Sequence, residues 1–189
     1  METLVKNTRK NKGFSLIELL IVVAIILIIA AIAIPNLLRA RIAANEASAA
    51  SSIRTVNTGE VSFYSTYPAN GYSVGPGGAG LLALGPPAAT GCPATGPVVG
   101  AACLIDYNLS KASTVAAAKS GYYFDIGPAS APTNTSYTVG GSPSGFNQSG
   151  VRSFCAVEDG VIHYLAVPVA MAPLTVHGTC VSAAWPQLQ

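Results

Sequence analysis

Residues 14–34 read FSLIELLIVVAIILIIAAIAI, a run of 21 residues that is apolar throughout except for Ser15 and Glu18. At a rise of ~1.5 Å per residue, about 20 such residues cross the ~30 Å hydrocarbon layer of a bilayer as one helix. Glu18 does not fit that setting. A carboxylate inside a membrane helix costs ~2.5–3.5 kcal/mol on insertion scales, so it is read as a functional contact. The apolar run thus predicts a membrane segment, and its single acid marks the candidate site.

The flanks set orientation. Lys6, Arg9, Lys10 and Lys12 precede the run with only Glu2 opposing them, while Arg39 and Arg41 follow it. That bias places the N-terminus in the cytoplasm and the rest outside. Cys92, Cys103, Cys155 and Cys180 all fall on the exported side, where disulfides persist. A secretory signal has a core of only ~7–15 apolar residues and a small-residue cleavage site. Here the core is longer, carries Glu18 and has Gly13 directly before it; Ala47-Ser48-Ala49 lies well beyond it. A plain uncleaved anchor accounts for length and orientation but leaves Glu18 unexplained.

The segment Gly13-Phe14-Ser15-Leu16-Ile17-Glu18 resembles the cleavage and methylation signature of type IV prepilins and pseudopilins. The resemblance is strong from Gly13 to about Arg41 and loose beyond. It implies that Gly13 precedes the scissile bond and that Phe14 becomes the methylated N-terminal residue. A prepilin peptidase would perform both steps, making the chain its substrate and not an enzyme. Cleavage exposes an α-amino group with a reference pKa of ~7.7–8.0, able to be cationic. Glu18 of one copy would then pair with that amine on a neighbour and fix the register between subunits. The partners implied are copies of itself or other pilins, an inner-membrane assembly platform and membrane lipid. The implied location is the bacterial inner membrane before assembly and a pilus or pseudopilus afterwards.

Helical character continues past the apolar run. From Asn36 to about Tyr67 there is no proline, and Ala49, Ile53, Val56 and Phe63 recur at intervals of three, four and seven. Pro68 and Asn70-Gly71 supply stop and turn signals. One helix over 14–67 is expected, membrane-spanning over 14–34 and amphipathic beyond, after a basic leader at 1–13. Pro35 removes a backbone donor and clashes with the preceding turn, so a kink is expected near residues 31–35. In the resembled family a proline here accompanies loss of helix on packing into a filament. This chain has Ile26-Leu27-Ile28 where relatives often carry a helix-weakening glycine, which leaves any such melting more dependent on Pro35.

Residues 68–189 read as a β-rich globular head. Stretches 68–103 and 127–150 are rich in breakers and are expected to be loops. Strands are expected at Gly121–Ile126, Ser136–Val139, Ser153–Val157 and Val161–Val167, the last two joined by a tight turn at Glu158-Asp159-Gly160. One face of this sheet should cover the helix stripe. The expected fold class is therefore α+β: a long N-terminal helix packed on a small antiparallel sheet, as in pilins. Four cysteines allow three connectivities; pairing in sequence order, Cys92–Cys103 and Cys155–Cys180, is the expectation.

Little else points to chemistry. The cysteines are unclustered and form no C-x-x-C, so no metal site is expected. Gly75 to Gly80 formally matches G-x-G-x-x-G, but Tyr72-Ser73-Val74 is a short strand and Pro86-Pro87 cut off a following helix. His163 and His177 have no spacing that demands a catalytic pair, and Glu158-Asp159 reads as a solvated turn in preference to a calcium loop. Arg39, Arg41 and Arg54 are too sparse for a nucleic-acid surface. No cofactor is expected. The function expected is a structural subunit of a type IV pilus or related filament. The alternatives are a pseudopilin of a type II secretion system and a membrane-tethered binding module.

Overall fold

The computed structural model describes residues 14–74, 80–128, 135–166 and 171–188. Helix α1 spans Leu16–Thr66, and Pro35 lies inside it. The chain divides within this helix into two compact units, at Arg39 and Ala40. In the first unit every large apolar side chain described is exposed, from Phe14 at 75% to Ile34 at 65%. An isolated soluble helix with this surface would be unstable in water; a lipid or protein environment is what the composition demands.

In the second unit the remainder of α1 buries one stripe. Ala49, Ile53, Val56 and Phe63 are all at most 1% exposed, at the spacing the sequence predicts. The helix stops beside Pro68, where the amide of Tyr67 still reaches the Phe63 carbonyl at 2.8 Å. Against the stripe lies a four-stranded antiparallel sheet in the order β1 (Tyr122–Pro128), β2 (Tyr137–Pro143), β3 (Arg152–Val157) and β4 (Ile162–Ala166). Tyr122, Phe124, Val139, Phe154, Ala156 and Ile162 project toward the helix and share one core with it. The period-2 alternation of strands puts their neighbours on the opposite face. There Cys155, Val157 and Leu165 pack with Trp185, Cys180, Met171 and Leu174 of the C-terminal segment. The sheet is covered on both sides.

Among the described residues three short α-helices lie outside the sheet: α2 (Leu81–Leu84), α3 (Tyr107–Lys111) and α4 (His177–Cys180). The first corrects the expectation that 68–103 is all loop. Leu81, Ala83 and Leu84 are buried, and the Leu84 carbonyl accepts from the amides of Leu104 and Ile105 at 2.6 and 3.1 Å. A four-residue helix is too short to show a period, and burial decides it. Asp106 caps α3 by accepting from the Leu109 amide at 2.9 Å.

Strand β2 also departs from expectation, running four residues past Val139 through Gly140-Gly141-Ser142-Pro143. The two glycines are strand residues because the layers come closest there. A Cβ on Gly141 would lie 2.9 Å from the Phe124 ring, and one on Gly140 would lie 2.3 Å from the Leu174 carbonyl oxygen. Absence of side chains lets the helix layer and the C-terminal segment approach opposite faces of one strand. The turn at Glu158-Asp159-Gly160 joins β3 to β4, with Gly160 at φ 74°. Val167, the predicted last residue of β4, lies outside the described residues.

Both sheet edges are occupied. On β1, the amides of Tyr122 and Phe124 donate to Lys119 and Ala112, Ile126 donates to the Asp125 carboxylate, and Pro128 has no donor. On β4, Tyr164 donates to Pro186 and Leu188 donates to Ile162, so the C-terminal segment closes that side. No free strand edge of the described sheet invites another chain to add to it.

Candidate assembly site and the groups that hold the head

The predicted site residues of the N-terminus fall as follows. Gly13 lies outside the described residues. Phe14 and Ser15 precede α1, and the Ser15 carbonyl accepts from the amides of Glu18 and Leu19 at 3.1 and 3.2 Å. Glu18 sits in the first helical turn, where a negative charge complements the helix dipole. Its side chain has no hydrogen-bond or ion-pair partner among the described residues. Its neighbours Ile17 and Leu19 are 66% and 57% exposed. An acid with no partner among the described residues, flanked by exposed apolar side chains, is costly once water is removed unless a partner is supplied.

The four cysteines form two bonds, Cys92–Cys103 and Cys155–Cys180. The second joins β3 to α4 across the outer face of the sheet. His163 and His177 are occupied separately. The Nδ1 of His163 lies 2.7 Å from the Trp185 carbonyl, and the Nε2 of His177 lies 3.0 Å from Glu158. Asp159 accepts from the Val161 amide at 2.8 Å, as a turn residue does. Residues 75–79 of the glycine-rich run are outside the described residues.

Two carboxylates outside the predicted site hold the head together. Glu46 accepts from the amides of Val151 and Arg152 at 3.0 and 3.2 Å, and its other oxygen lies 3.5 Å from the Arg152 guanidinium nitrogen. It fastens α1 to the start of β3. Glu60 is fully buried and accepts from both the amide and the hydroxyl of Ser73, which anchors the chain just after the helix. Burial pushes the Glu60 carboxyl up to about 7, against the two Ser73 hydrogen bonds that favour its charged form. The signal was available: Glu46 and Glu60 are each seven residues from Ile53, and three from Ala49 and Phe63 respectively, on the buried stripe. Nearby, the Tyr137 hydroxyl donates to Asn57 at 3.1 Å, and burial raises the Tyr137 phenol far above its ordinary range.

With this geometry in view, the comparisons with known proteins are specific at the N-terminus. The family model described as the prokaryotic N-terminal methylation motif matches residues 8–34. The chain is 46% identical over 56 residues to the type IV major pilin protein PilA of Myxococcus xanthus, covering 30% of this chain and 26% of that protein. It is 44% identical over 77 residues to the type IV wide pilus major component PilA4 of Thermus thermophilus, covering 41% of this chain and 56% of that protein. The matches thus span about a quarter and somewhat over half of those relatives. No solved structure matches the chain closely.

Proposed function

We propose that this chain, which carries the N-terminal methylation motif of the type IV pilin and pseudopilin family, is a structural subunit of a type IV pilus. It is cut between Gly13 and Phe14, methylated on the new amine by a prepilin peptidase, and polymerised through its apolar helix. The observation that carries this reading is Glu18, without a partner among the described residues, in the first turn of a helix whose first half exposes its large apolar side chains all round. Both relatives are named as pilus major components, which favours a pilus over a secretion pseudopilus.

The chemistry follows from desolvation. Apolar surfaces associate strongly but without direction, so the faces of residues 19–34 could slide past one another. A carboxylate in oil and an amine at nearly the same depth are both costly alone, and pairing them offsets part of that cost at one register only. Charge thereby supplies the axial specificity that apolar contact lacks. Before cleavage the amine at Phe14 does not exist, and the basic leader keeps the N-terminus cytoplasmic. Cleavage is therefore the step that licenses assembly. Pro35, lacking an amide proton, is where the helix yields most easily on packing.

The head contributes by being closed. With both edges of its sheet occupied, subunits are left the helix, and not strand addition, as the route to polymerise. Intact mass of the purified, unreduced protein tests the processing: loss of residues 1–13, gain of one methyl group and absence of four thiol protons are expected. Glu18→Ala should insert and be cleaved yet enter filaments poorly. A normal filament yield from that variant rejects the assembly role, and a mature chain beginning anywhere but Phe14 rejects the processing.

A further inference from the structure

The described head holds a cleft of about 510 Å³ between α1 and the β3–β4 turn that neither the membrane helix nor the disulfides account for. On its helix side stand Arg54, Asn57 and Val61; on its turn side stand Glu158 and Asp159, with Tyr137 at its floor. Asn57 is the informative member. It is only 7% exposed, Tyr137 uses its Oδ1, and its Nδ2 has no partner. Turning the amide over exchanges the two ends without satisfying both, so one polar atom is left over in either orientation. Buried amide groups ordinarily have partners.

The rest of the rim says what would satisfy it. Arg54 is exposed and makes no ion pair among the described residues, so it offers donors. Asp159 uses Oδ1 on the Val161 amide and keeps its second oxygen as an acceptor. Thr58 and Ser62 give their protons to the carbonyls of Arg54 and Thr58, at 3.0 and 2.9 Å, which leaves only their lone pairs. The helix wall therefore mixes the donors of Arg54 with the acceptors of Thr58 and Ser62, and the acids of the turn wall add acceptors. A simple anion would face the two acids, and a simple cation would face Arg54. A hydroxyl is donor and acceptor at once, and it suits the orphaned Asn57 atom whichever way the amide is turned. Adjacent hydroxyls on a rigid ring would bridge the two walls, and Val61 offers an apolar patch to the ring's C–H face.

We propose that this cleft is a binding site for a neutral sugar residue. The site is complete within one head and does not depend on polymerisation. The test uses the full-length chain in a micelle whose detergent has no sugar headgroup, with saturation-transfer NMR on methyl glucoside, methyl galactoside and N-acetylglucosamine added singly. Glucuronate and a capped glycine dipeptide serve as comparison probes. Transfer to at least one neutral sugar is expected. It should be lost in Thr58→Trp, which fills the cleft from an exposed helix position, and weakened in Arg54→Ala, which removes an unpaired side chain and leaves folding intact. No transfer to any of the three neutral sugars overturns the proposal, as does transfer undiminished in Thr58→Trp or, if that variant misfolds, in Arg54→Ala. Stronger transfer to glucuronate, or transfer to the dipeptide alone, reassigns the cleft to an anion or a polypeptide and overturns it equally.

Discussion

Glu60 offers a quantitative check on how the head is held together. Its carboxyl is fully buried, and desolvation lifts its pKa to about 7 from an ordinary 4.5, with the Ser73 amide and hydroxyl pulling the other way. A folded-state value above the unfolded one means the native protein holds its proton more tightly. Below pH ~4.5 both states are protonated and the native state has its full stability. Between ~4.5 and ~7 the unfolded chain ionises first, so stability falls as pH rises, by ~1.4 kcal/mol per unit. Above ~7 both states are charged and the accumulated loss is about 3 kcal/mol. The neighbouring phenols of Tyr72 and Tyr137 are raised chiefly by burial and titrate well above this window. Glu60→Gln is neutral at every pH, and its amide can still accept from Ser73. For a domain of this size ~3 kcal/mol corresponds to roughly 6–12 °C in midpoint. Thermal unfolding of the detergent-solubilised chain, followed by near-ultraviolet circular dichroism from pH 4.5 to 8, should show the wild-type midpoint falling by about that much. Glu60→Gln should lack this slope and overtake the wild type near neutrality. Parallel curves for the two proteins would refute the desolvation argument.

Other perturbations follow from the same packing. Cys155→Ser with Cys180→Ser should lower stability by about 3 kcal/mol in chemical denaturation, and it should expose Trp185, read as a red shift in fluorescence. Unchanged fluorescence would show that the C-terminal segment is held without the bond. Gly140→Ala places a Cβ 2.3 Å from the Leu174 carbonyl oxygen, so backbone must move, at a cost of ~1–3 kcal/mol. Protease cleavage within the C-terminal segment should speed up in that variant, and wild-type resistance would mean the contact relaxes freely. Ile53→Ala, at a fully buried position of the stripe, should cost ~2–5 kcal/mol by urea titration; a loss under ~1 kcal/mol would contradict a tightly packed helix–sheet core. Glu46→Gln keeps an acceptor for the Val151 and Arg152 amides but loses the ion pair, so a drop of only ~1 kcal/mol is expected, against a larger one for Glu46→Ala.

What the chain alone determined is whatever depends on local order along it. The 21 residues from Phe14 fix a helix with no polar face, and Glu18 stands out because nothing in such a segment offsets its cost. The stripe Ala49, Ile53, Val56 and Phe63 and the Asp159-Gly160 turn were legible because helix period and turn chemistry are properties of neighbours in sequence. What the tertiary structure decided depends on residues far apart. Gly140 and Gly141 read as breakers, yet they continue a strand because two layers close on them from opposite sides. The segment around Trp185 shows no period, yet it covers the outer sheet face and closes the edge of β4. Glu60 and Ser73 are ordinary polar residues until burial removes water from around them and leaves each dependent on the other. Periodicity is a short-range signal, whereas close approach and desolvation exist only once distant parts of the chain have met.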